Sequence, residues 1–304
     1  MSKDNIAYGG QAVIGGVLIQ SPKGWSLAVR DQKNQIHNYF EKRTPLTQRE
    51  GIWKIPFVRG VGALIDSLYV GYKGISLSDT LYYGEQEEEE TLFTKITNTL
   101  LIVSILSLLI VGPRLLIDLL NLTQTVKGFT EGILRGLIVI TYIYLVGKTK
   151  DAQELFEYHG AEHMTIASFE AEHSLEIDDV KKFPKEHIRC GTSFIFLIVF
   201  VSLLTLPFIP TLNLFFTLIT RLLHVFVVAM ISYEILKFNF KNSDSLISKI
   251  FATPGIWTQK ITTKIPSDEQ IQVAIMSMAN CIKYSEDNAQ FDELLSTSKE
   301  FKNG

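Results

Sequence analysis

Long apolar stretches dominate the middle of the chain, and polar stretches flank and separate them. Four of the apolar stretches approach the roughly 20 residues that an α-helix needs to cross a bilayer. They run over about Ile96–Leu120, Phe129–Val146, Thr192–Ile209 and Leu212–Leu236. Because only Pro210-Thr211 separates the last two stretches, we expect them to form a helical hairpin. The pattern therefore predicts a membrane α-helical protein with about four transmembrane helices.

Basic residues flank these stretches unevenly. Lysines concentrate at the stretch ends that would share one side of the membrane, and few lie at the opposite ends. The positive-inside rule assigns the lysine-rich side to the cytosol. We therefore expect a multi-pass integral membrane protein whose two termini, and the segment between the second and third stretches, are cytosolic. If the first or second stretch is only partly inserted, this assignment of sides changes.

Three polar residues lie within the fourth stretch. Arg221 and His224 are costly in lipid, so we expect them to face neighbouring helices or to snorkel to an interface. Glu234 lies near the predicted cytosolic end. It would either approach the histidines described below, as a ligand or as an acceptor for an imidazole N–H, or pair with Arg189 or Arg135.

The polar N-terminal region has the pattern of a small β element over residues 1–55. Gln11–Gln20 is largely apolar with β-branched residues, Trp25–Arg30 alternates, and Gln35–Phe40 follows a second turn signal. We expect three strands joined by two hairpins.

The pattern of residues 56–90 predicts a helix over 56–74, with small residues that permit close packing. The acidic linker Glu85–Glu90 follows this helix.

Residues 241–304 form a predicted cytosolic segment after the last apolar stretch. Thr253–Gly255 predicts a turn. Ser267 and Gln270 match a capping box, which predicts a helix that ends near Ile282. The chain then divides into 1–55, 56–90, 91–150 with the first two transmembrane helices, 151–191, 192–240 with the helical hairpin, and 241–304.

Composition narrows the classes of function. Of the 304 residues, 46% are hydrophobic, and the formal net charge is −3, so nothing favours a nucleic-acid partner. The two cysteines, Cys190 and Cys281, lie far apart, which argues against a disulfide framework and fits a reducing compartment. Membrane lipid is the expected surrounding, and a homo-oligomer remains open.

Residues 151–191 hold the strongest chemical signal. His159 and His163 lie four residues apart on one helical face, where two imidazoles can bind one divalent cation. Glu162 lies beside them and is a candidate general base for a metal-bound water. The pattern His-x-x-Glu-His is also the signature of the inverzincin metallopeptidases, although short matches of this kind also arise by chance.

Other residues could complete a metal site. Glu170 shares the helical stripe of the two histidines, and His187 and Cys190 precede the third apolar stretch. A chain reversal between the two segments would bring them together, although Cys190 is alternatively a small buried apolar residue. The set fits zinc first, with iron or manganese as alternatives. Arg189 is a candidate for stabilising an oxyanion.

Six sequence blocks resemble the YqhQ-like family. They are Tyr8–Val13, Pro56–Gly60, Tyr158–His163, His187–Phe194, Ile231–Glu234 and Pro254–Thr263. The resemblance extends from about Tyr8 to Ala279. It implies a bacterial or plastid membrane protein from a family of unknown function, whose members are described as predicted metal-dependent enzymes. It supports a metal role for His159, Glu162 and His163 and names no substrate.

The chain departs from the pattern of that family in its N-terminal block. Gly15 stands where the pattern Gly-Gly-Gln-Ala-Val-x-Glu-Gly has an acidic residue, and Gln20 stands where a basic residue is expected. If the acid belongs to the site in the family, this chain either lacks the activity or uses another carboxylate. Residues Gly9–Gly16 are still expected near the site, since glycine permits close backbone approach.

Three functions compete at this point. The first is a membrane-embedded metal-dependent hydrolase that acts on a lipid-linked molecule or a membrane peptide, with Glu162 and Arg189 as its catalytic residues. The second is a non-catalytic scaffold or assembly factor with a structural metal, which the loss of the acid at Gly15 favours. The third is a transporter or channel, which ranks last because no inverted repeat is visible.

Overall fold

A small sheet, two layers of helices around it and a group of apolar helices make up the protein. The computed structural model describes residues 8–84, 92–187, 191–209, 213–242, 245–286 and 299–300. The strands are β1 (Gly9–Val13), β2 (Gly16–Ser21), β3 (Gly24–Arg30), β4 (Ile36–Lys42) and β5 (Lys299–Glu300). The helices are α1 (Val58–Tyr83), α2 (Leu92–Asp118), α3 (Gln124–Val146), α4 (Lys150–Glu170), α5 (Ile177–Val180), α6 (Gly191–Thr205), α7 (Leu214–Lys241), α8 (Leu246–Thr262) and α9 (Asp268–Glu286).

Strands β1 to β4 form an antiparallel meander, and β5 pairs in parallel with β4. The prediction of one strand over Gln11–Gln20 is wrong, because the chain reverses there between Val13 and Gly16. Gly15 occupies the turn with φ of +63°. A Cβ at this position would lie 2.3 Å from the Tyr82 ring, so the acid that the family pattern predicts would clash in this chain.

Both faces of the sheet are covered by helices. Val17, Ile19 and Ala28 belong to a buried cluster with residues of α4 and α9. Leu18 and Leu27 point to the opposite face, where they pack in a second cluster with residues of α1. This double burial explains why β2 reads as a continuous apolar run, since alternation of polar and apolar residues marks a strand with one wet face.

Helix α1 extends beyond its predicted range to Tyr83, and its glycines allow the close packing that was predicted. A Cβ at Gly60 would lie 2.8 Å from the Met230 Cα in α7. A Cβ at Gly74 would lie 2.5 Å from the Leu18 side chain in β2. Helix α1 therefore connects the apolar helices to the sheet.

The C-terminal segment contains one confirmed and one wrong prediction. The Ser267 N–H donates to Gln270 Oε1 (2.8 Å), and the Gln270 N–H donates to Ser267 Oγ (3.3 Å), so the capping box at the start of α9 is confirmed. The turn over Thr253–Gly255 is wrong, because Pro254 lies inside α8. Proline is disfavoured in a helix interior, and here the tertiary contacts of α8 override that local preference.

All four predicted apolar stretches are helical within the residues that the structure describes. Two of the helices, Gln124–Val146 and Phe215–Asn239, are long and apolar enough to cross a membrane, and Phe196–Phe208 is a shorter apolar segment. Helices α6 and α7 pack against each other as a hairpin would. The connection at 210–212 and the acidic linker at 85–90 lie outside the described residues. The two long helices indicate membrane association.

Candidate metal centre

Helix α4 positions the two histidines of the His-x-x-Glu-His motif. The Thr149 hydroxyl oxygen accepts the Ala152 N–H at the helix start (3.3 Å), and Asp151 places negative charge at the positive end of the helix dipole. His159 and His163 then share one face of the helix, with their ring centroids 4.3 Å apart. Helix packing buries both side chains almost completely.

Backbone carbonyls fix the orientation of both imidazoles. His159 Nδ1 lies 2.8 Å from the Thr262 carbonyl oxygen, and His163 Nδ1 lies 2.6 Å from the Lys185 carbonyl oxygen. A carbonyl oxygen can only accept a hydrogen bond, so Nδ1 carries the proton in each ring. In the neutral imidazoles the lone pair is then on Nε2, the atom that each ring directs toward Glu162. This orientation by an outer acceptor is typical of histidines that bind metals.

The Glu162 carboxylate lies between the two Nε2 atoms. Its Oε2 atom lies 3.9 Å from His159 Nε2 and 4.0 Å from His163 Nε2. Together the three side chains offer one ligand atom each, all within 4.8 Å of one another. Glu162 Oε2 and His163 Nε2 are buried and have no hydrogen-bond partner among the described residues. Buried polar atoms without a partner are costly, and one cation would satisfy both of these.

Burial sets the protonation states of this cluster. Loss of solvent raises the pKa of Glu162 to about 8. The same effect lowers the pKa of His159, and it lowers the pKa of His163 well below the ordinary value. At neutral pH and with no cation bound, Glu162 therefore holds a proton. Both imidazoles are neutral, and the neutral imidazole is the form of histidine that binds metals.

Two glycines let backbone segments approach this cluster. A Cβ at Gly10 in β1 would lie 2.8 Å from Glu162 Oε1 and 2.5 Å from the Leu18 carbonyl oxygen. The expectation that Gly9–Gly16 lies near the site therefore holds at Gly10, whereas Gly15 and Gly16 contact Tyr82 and β3. A Cβ at Gly160 would lie 2.1 Å from the Lys264 carbonyl oxygen, so the segment after α8 also packs directly on α4.

Glu170 and His187 meet each other rather than joining the first cluster directly. Glu170 Oε2 lies 3.4 Å from His187 Nε2, and the His187 ring centroid lies 5.9 Å from that of His163. The chain reversal that was expected to return His187 to the helix is therefore present. Arg189 and Cys190, the other two residues predicted for the site, lie outside the described residues.

Helix α8 supplies contacts that the sequence did not reveal. The Gln259 side chain accepts the His187 N–H (2.7 Å) and donates to the His187 carbonyl oxygen (2.8 Å), while Thr262 provides the acceptor for His159. The block Pro254–Thr263 was a signal that could have identified this helix. Glu234 approaches neither the histidines nor Arg135, because it pairs with Arg59 and accepts the Phe57 N–H.

The fold and the site together define a mainly helical protein with two helices long and apolar enough to cross a membrane and a buried His-Glu-His cluster. Residues 55–284 match a family described as a protein of unknown function, DUF1385. The chain is also 31% identical over 302 residues to the uncharacterized protein YqhQ of Bacillus subtilis (strain 168). The alignment covers 93% of this chain and 95% of that protein. The chain belongs to this YqhQ-like family. No solved structure matches it.

Proposed function

We propose that this protein is a membrane-embedded, metal-dependent enzyme with a hydrolytic reaction. One observation carries the proposal: the buried Glu162 Oε2 and His163 Nε2 atoms face the same space as His159 Nε2 and have no hydrogen-bond partner in the described part of the chain. A divalent cation would satisfy this set of atoms. Zinc suits the mixed nitrogen and oxygen donors best, and iron or manganese are the alternatives.

The distances between the donor atoms support this fit. Two metal–ligand bonds of about 2.1 Å can join atoms that lie up to about 4.2 Å apart. The Glu162 oxygen lies 3.9 and 4.0 Å from the two Nε2 atoms, so small side-chain movements would complete the site. His187 lies on the His163 side and is the next donor that such a movement would bring in, after release from Glu170.

In the proposed reaction, a bound divalent ion supplies the acidity that makes water a nucleophile near neutral pH. Glu162 would accept the proton of the attacking water at Oε2, so the ion would have to be held by His159, His163 and a further donor such as His187 instead of by this oxygen. His159 and His163 stay neutral because burial lowers their pKa values, and the carbonyls of Thr262 and Lys185 fix Nδ1 as the protonated nitrogen. Arg189 would stabilise the oxyanion of the substrate.

The proposed topology has four membrane spans over the predicted apolar stretches. Both termini and the metal centre lie on the cytosolic side, in agreement with the lysine distribution. Helix α4 begins four residues after α3 ends, so the centre lies next to the membrane surface. The substrate class that fits this position is a lipid-linked molecule or a membrane peptide.

Elemental analysis of the detergent-purified protein tests the proposal. We expect about one zinc, iron or manganese ion per chain, and none in a variant that combines H159A and H163A. The matched control is H173A, because His173 is exposed in the same segment and makes an edge-to-face contact with Phe183. Absence of stoichiometric metal in the wild type, even after refilling under reducing conditions, would contradict the proposal.

The burial of the centre favours a second candidate, a non-catalytic scaffold or assembly factor with a structural metal. Glu162 and His163 are only 3% and 1% exposed, and structural zinc sites are closed whereas catalytic ones keep an open position. E162Q separates the two candidates. A catalytic base predicts that this variant keeps its metal and its thermal stability and loses activity. A structural ligand predicts loss of metal and a lower unfolding temperature.

A further inference from the structure

A second buried polar cluster lies among the apolar helices, at the other end of α3 from the metal centre. Glu131 lies seven residues after the start of α3, whereas α4 begins just beyond the end of α3. Arg114 near the end of α2 and Arg221 near the start of α7 pack around it. All three side chains are at most 2% exposed. We call these residues, with Arg135, the arginine cluster.

One carboxylate serves three guanidinium groups in the arginine cluster. Glu131 Oε1 accepts from Arg135 Nη2 (2.7 Å), and Oε2 accepts from Arg221 Nη2 (2.9 Å). Arg114 Nη1 lies 3.7 Å from the same Oε2 atom. Three positive charges and one negative charge leave an excess of two.

The rim of the arginine cluster reduces this excess very little. Asp118 accepts from Arg114 Nε at 3.0 Å, but its side chain is 35% exposed and it also binds Lys127 at 3.1 Å. The acid and the lysine therefore cancel each other in the sum of charges. Arg114 also contacts Asp118 through Nη2 at 2.9 Å and is therefore paired, so the shortage of acceptors for buried charge falls on Arg221.

Arg221 shows where that negative charge is missing. Its Nε and Nη1 atoms are buried and have no acceptor within the described ranges, which leave out the neighbouring connection 210–212. The nearby His224 does not supply one, because its Nε2 atom is engaged by the Thr205 hydroxyl at 2.7 Å. A charged acceptor with several oxygens would satisfy both nitrogens and the net charge together.

We propose that the arginine cluster binds a phosphate group, carried by the headgroup of a phospholipid. Arginine is suited to phosphate because its rigid, always charged group offers several N–H donors to several oxygens. This proposal needs no metal at His159 and goes beyond the proposed reaction.

The position of the arginine cluster favours a lipid over free phosphate. Arg114 lies four residues from the end of α2 and Arg221 seven residues from the start of α7, which correspond to about 6 and 10 Å along a helix. Arg114 is therefore closer to its helix end than to a bilayer midplane at about 15 Å depth, whereas Arg221 lies about 5 Å short of that midplane. Exposed apolar side chains that would contact lipid follow Arg114, namely Leu115 and Leu116 on α2 and Leu119 just after its end.

Lipid binding by the full-length protein in detergent tests the proposal. We would titrate phosphatidylglycerol and, separately, inorganic phosphate, and follow bound lipid by native mass spectrometry and the thermal unfolding midpoint. We expect phosphatidylglycerol to bind and to raise the midpoint at concentrations where inorganic phosphate does neither. Equal effects of inorganic phosphate would overturn the lipid source and retain the phosphate site. No effect of either probe would overturn the proposal.

Two substitutions of opposite expected effect sharpen this test. R221Q removes the unsatisfied donors and should weaken lipid binding at least about tenfold. E131Q removes the competing carboxylate and should strengthen lipid binding and enlarge the lipid-induced rise of the midpoint. R49Q, at an exposed arginine that donates to the Thr44 carbonyl oxygen and is not part of the arginine cluster, is the control and should change neither.

A cluster that serves only as an internal ion-pair network would behave differently, because both R221Q and E131Q would then lower stability without changing lipid binding. If R221Q fails to fold, R221K serves instead, because it keeps the charge and loses the fixed N–H donors. It should then bind lipid more weakly than the wild type. Unchanged lipid binding in R221K and E131Q would contradict the proposal.

Discussion

The metal centre and the arginine cluster lie toward opposite ends of α3 and have opposite imbalances of charge. In the proposed metal centre, buried Glu162 Oε2 and His163 Nε2 have no hydrogen-bond partner among the described residues. In the arginine cluster, buried guanidinium groups outnumber the carboxylates beside them. Since burial makes an unpaired polar group costly in either case, each region is incomplete in a way that indicates its own class of ligand. The first region fits a cation and the second an anion.

The largest expected effect comes from substitutions that should separate these two regions completely. H163A should lower zinc affinity by more than the roughly 10–100-fold that loss of an outer partner costs, and it should leave phospholipid binding unchanged. R221Q should weaken phospholipid binding and leave zinc affinity unchanged, because the two sites share no residue. Zinc affinity by competition with a chelator and lipid binding by native mass spectrometry would both be measured. Loss of both ligands in either single variant would show that the regions are not independent.

A smaller effect is expected at the glycine that contacts the metal centre. In G10A, the added Cβ would lie 2.8 Å from Glu162 Oε1 and 2.5 Å from a strand carbonyl, so β1 or Glu162 has to move. We expect zinc affinity to fall about tenfold, the lower end of the cost of disturbing an outer contact. G9A is the matched control, because a Cβ there has no atom within 4 Å. Equal zinc affinities of G10A and G9A would contradict this account of the β1 contact.

The smallest expected effect is on the pH dependence of stability without metal. The pKa of Glu162 is about 8 in the folded protein against an ordinary 4.5, so its stabilising contribution is complete below 4.5 and is lost as pH rises through 8. The lowered pKa of His163 acts in the opposite direction, and its stabilising contribution is complete above 6.5. Between pH 6.5 and 8, stability should therefore fall with a slope of up to about 1.4 kcal/mol per pH unit.

Thermal unfolding of the metal-free protein across that pH range measures this slope. E162Q should flatten it, because glutamine does not titrate, whereas H173A should leave it unchanged. Zinc should reverse the trend, since its binding requires loss of the Glu162 proton and therefore strengthens as pH rises. An equal slope in E162Q and the wild type would assign the pH dependence to other groups.

Local signals in the sequence were sufficient for several features. The spacing of His159 and His163 predicts their shared helical face, and the capping box at Ser267 predicts the start of α9, because each depends only on residues within one turn. The apolar stretches likewise predict helices. The number of membrane crossings and their orientation remain predictions, since they depend on the surrounding bilayer as well as on the chain.

Features that depend on distant contacts could not be predicted. The turn at Gly15 contains no polar turn residue, and its glycine is required by the Tyr82 ring that packs on it from α1. The carbonyl groups of Thr262 and Lys185 orient the histidines, but any residue type has such a group, so the sequence carries no signal for this role. Helical periodicity placed Glu170 on the histidine stripe, whereas the reversal of the chain pairs it with His187.

The long sequence separation within the metal centre has a consequence for the synthesis of this protein on the ribosome. The carbonyl that orients His159 lies 103 residues later in the chain, and Ser26 in the sheet bonds to Ser277, 251 residues later. The first strands are therefore translated, and the apolar helices follow, long before α9 exists to cover the sheet. During that interval one apolar face of the nascent sheet lacks α9 and His159 lacks its outer acceptor. Binding of the proposed metal is thus expected to follow completion of the chain.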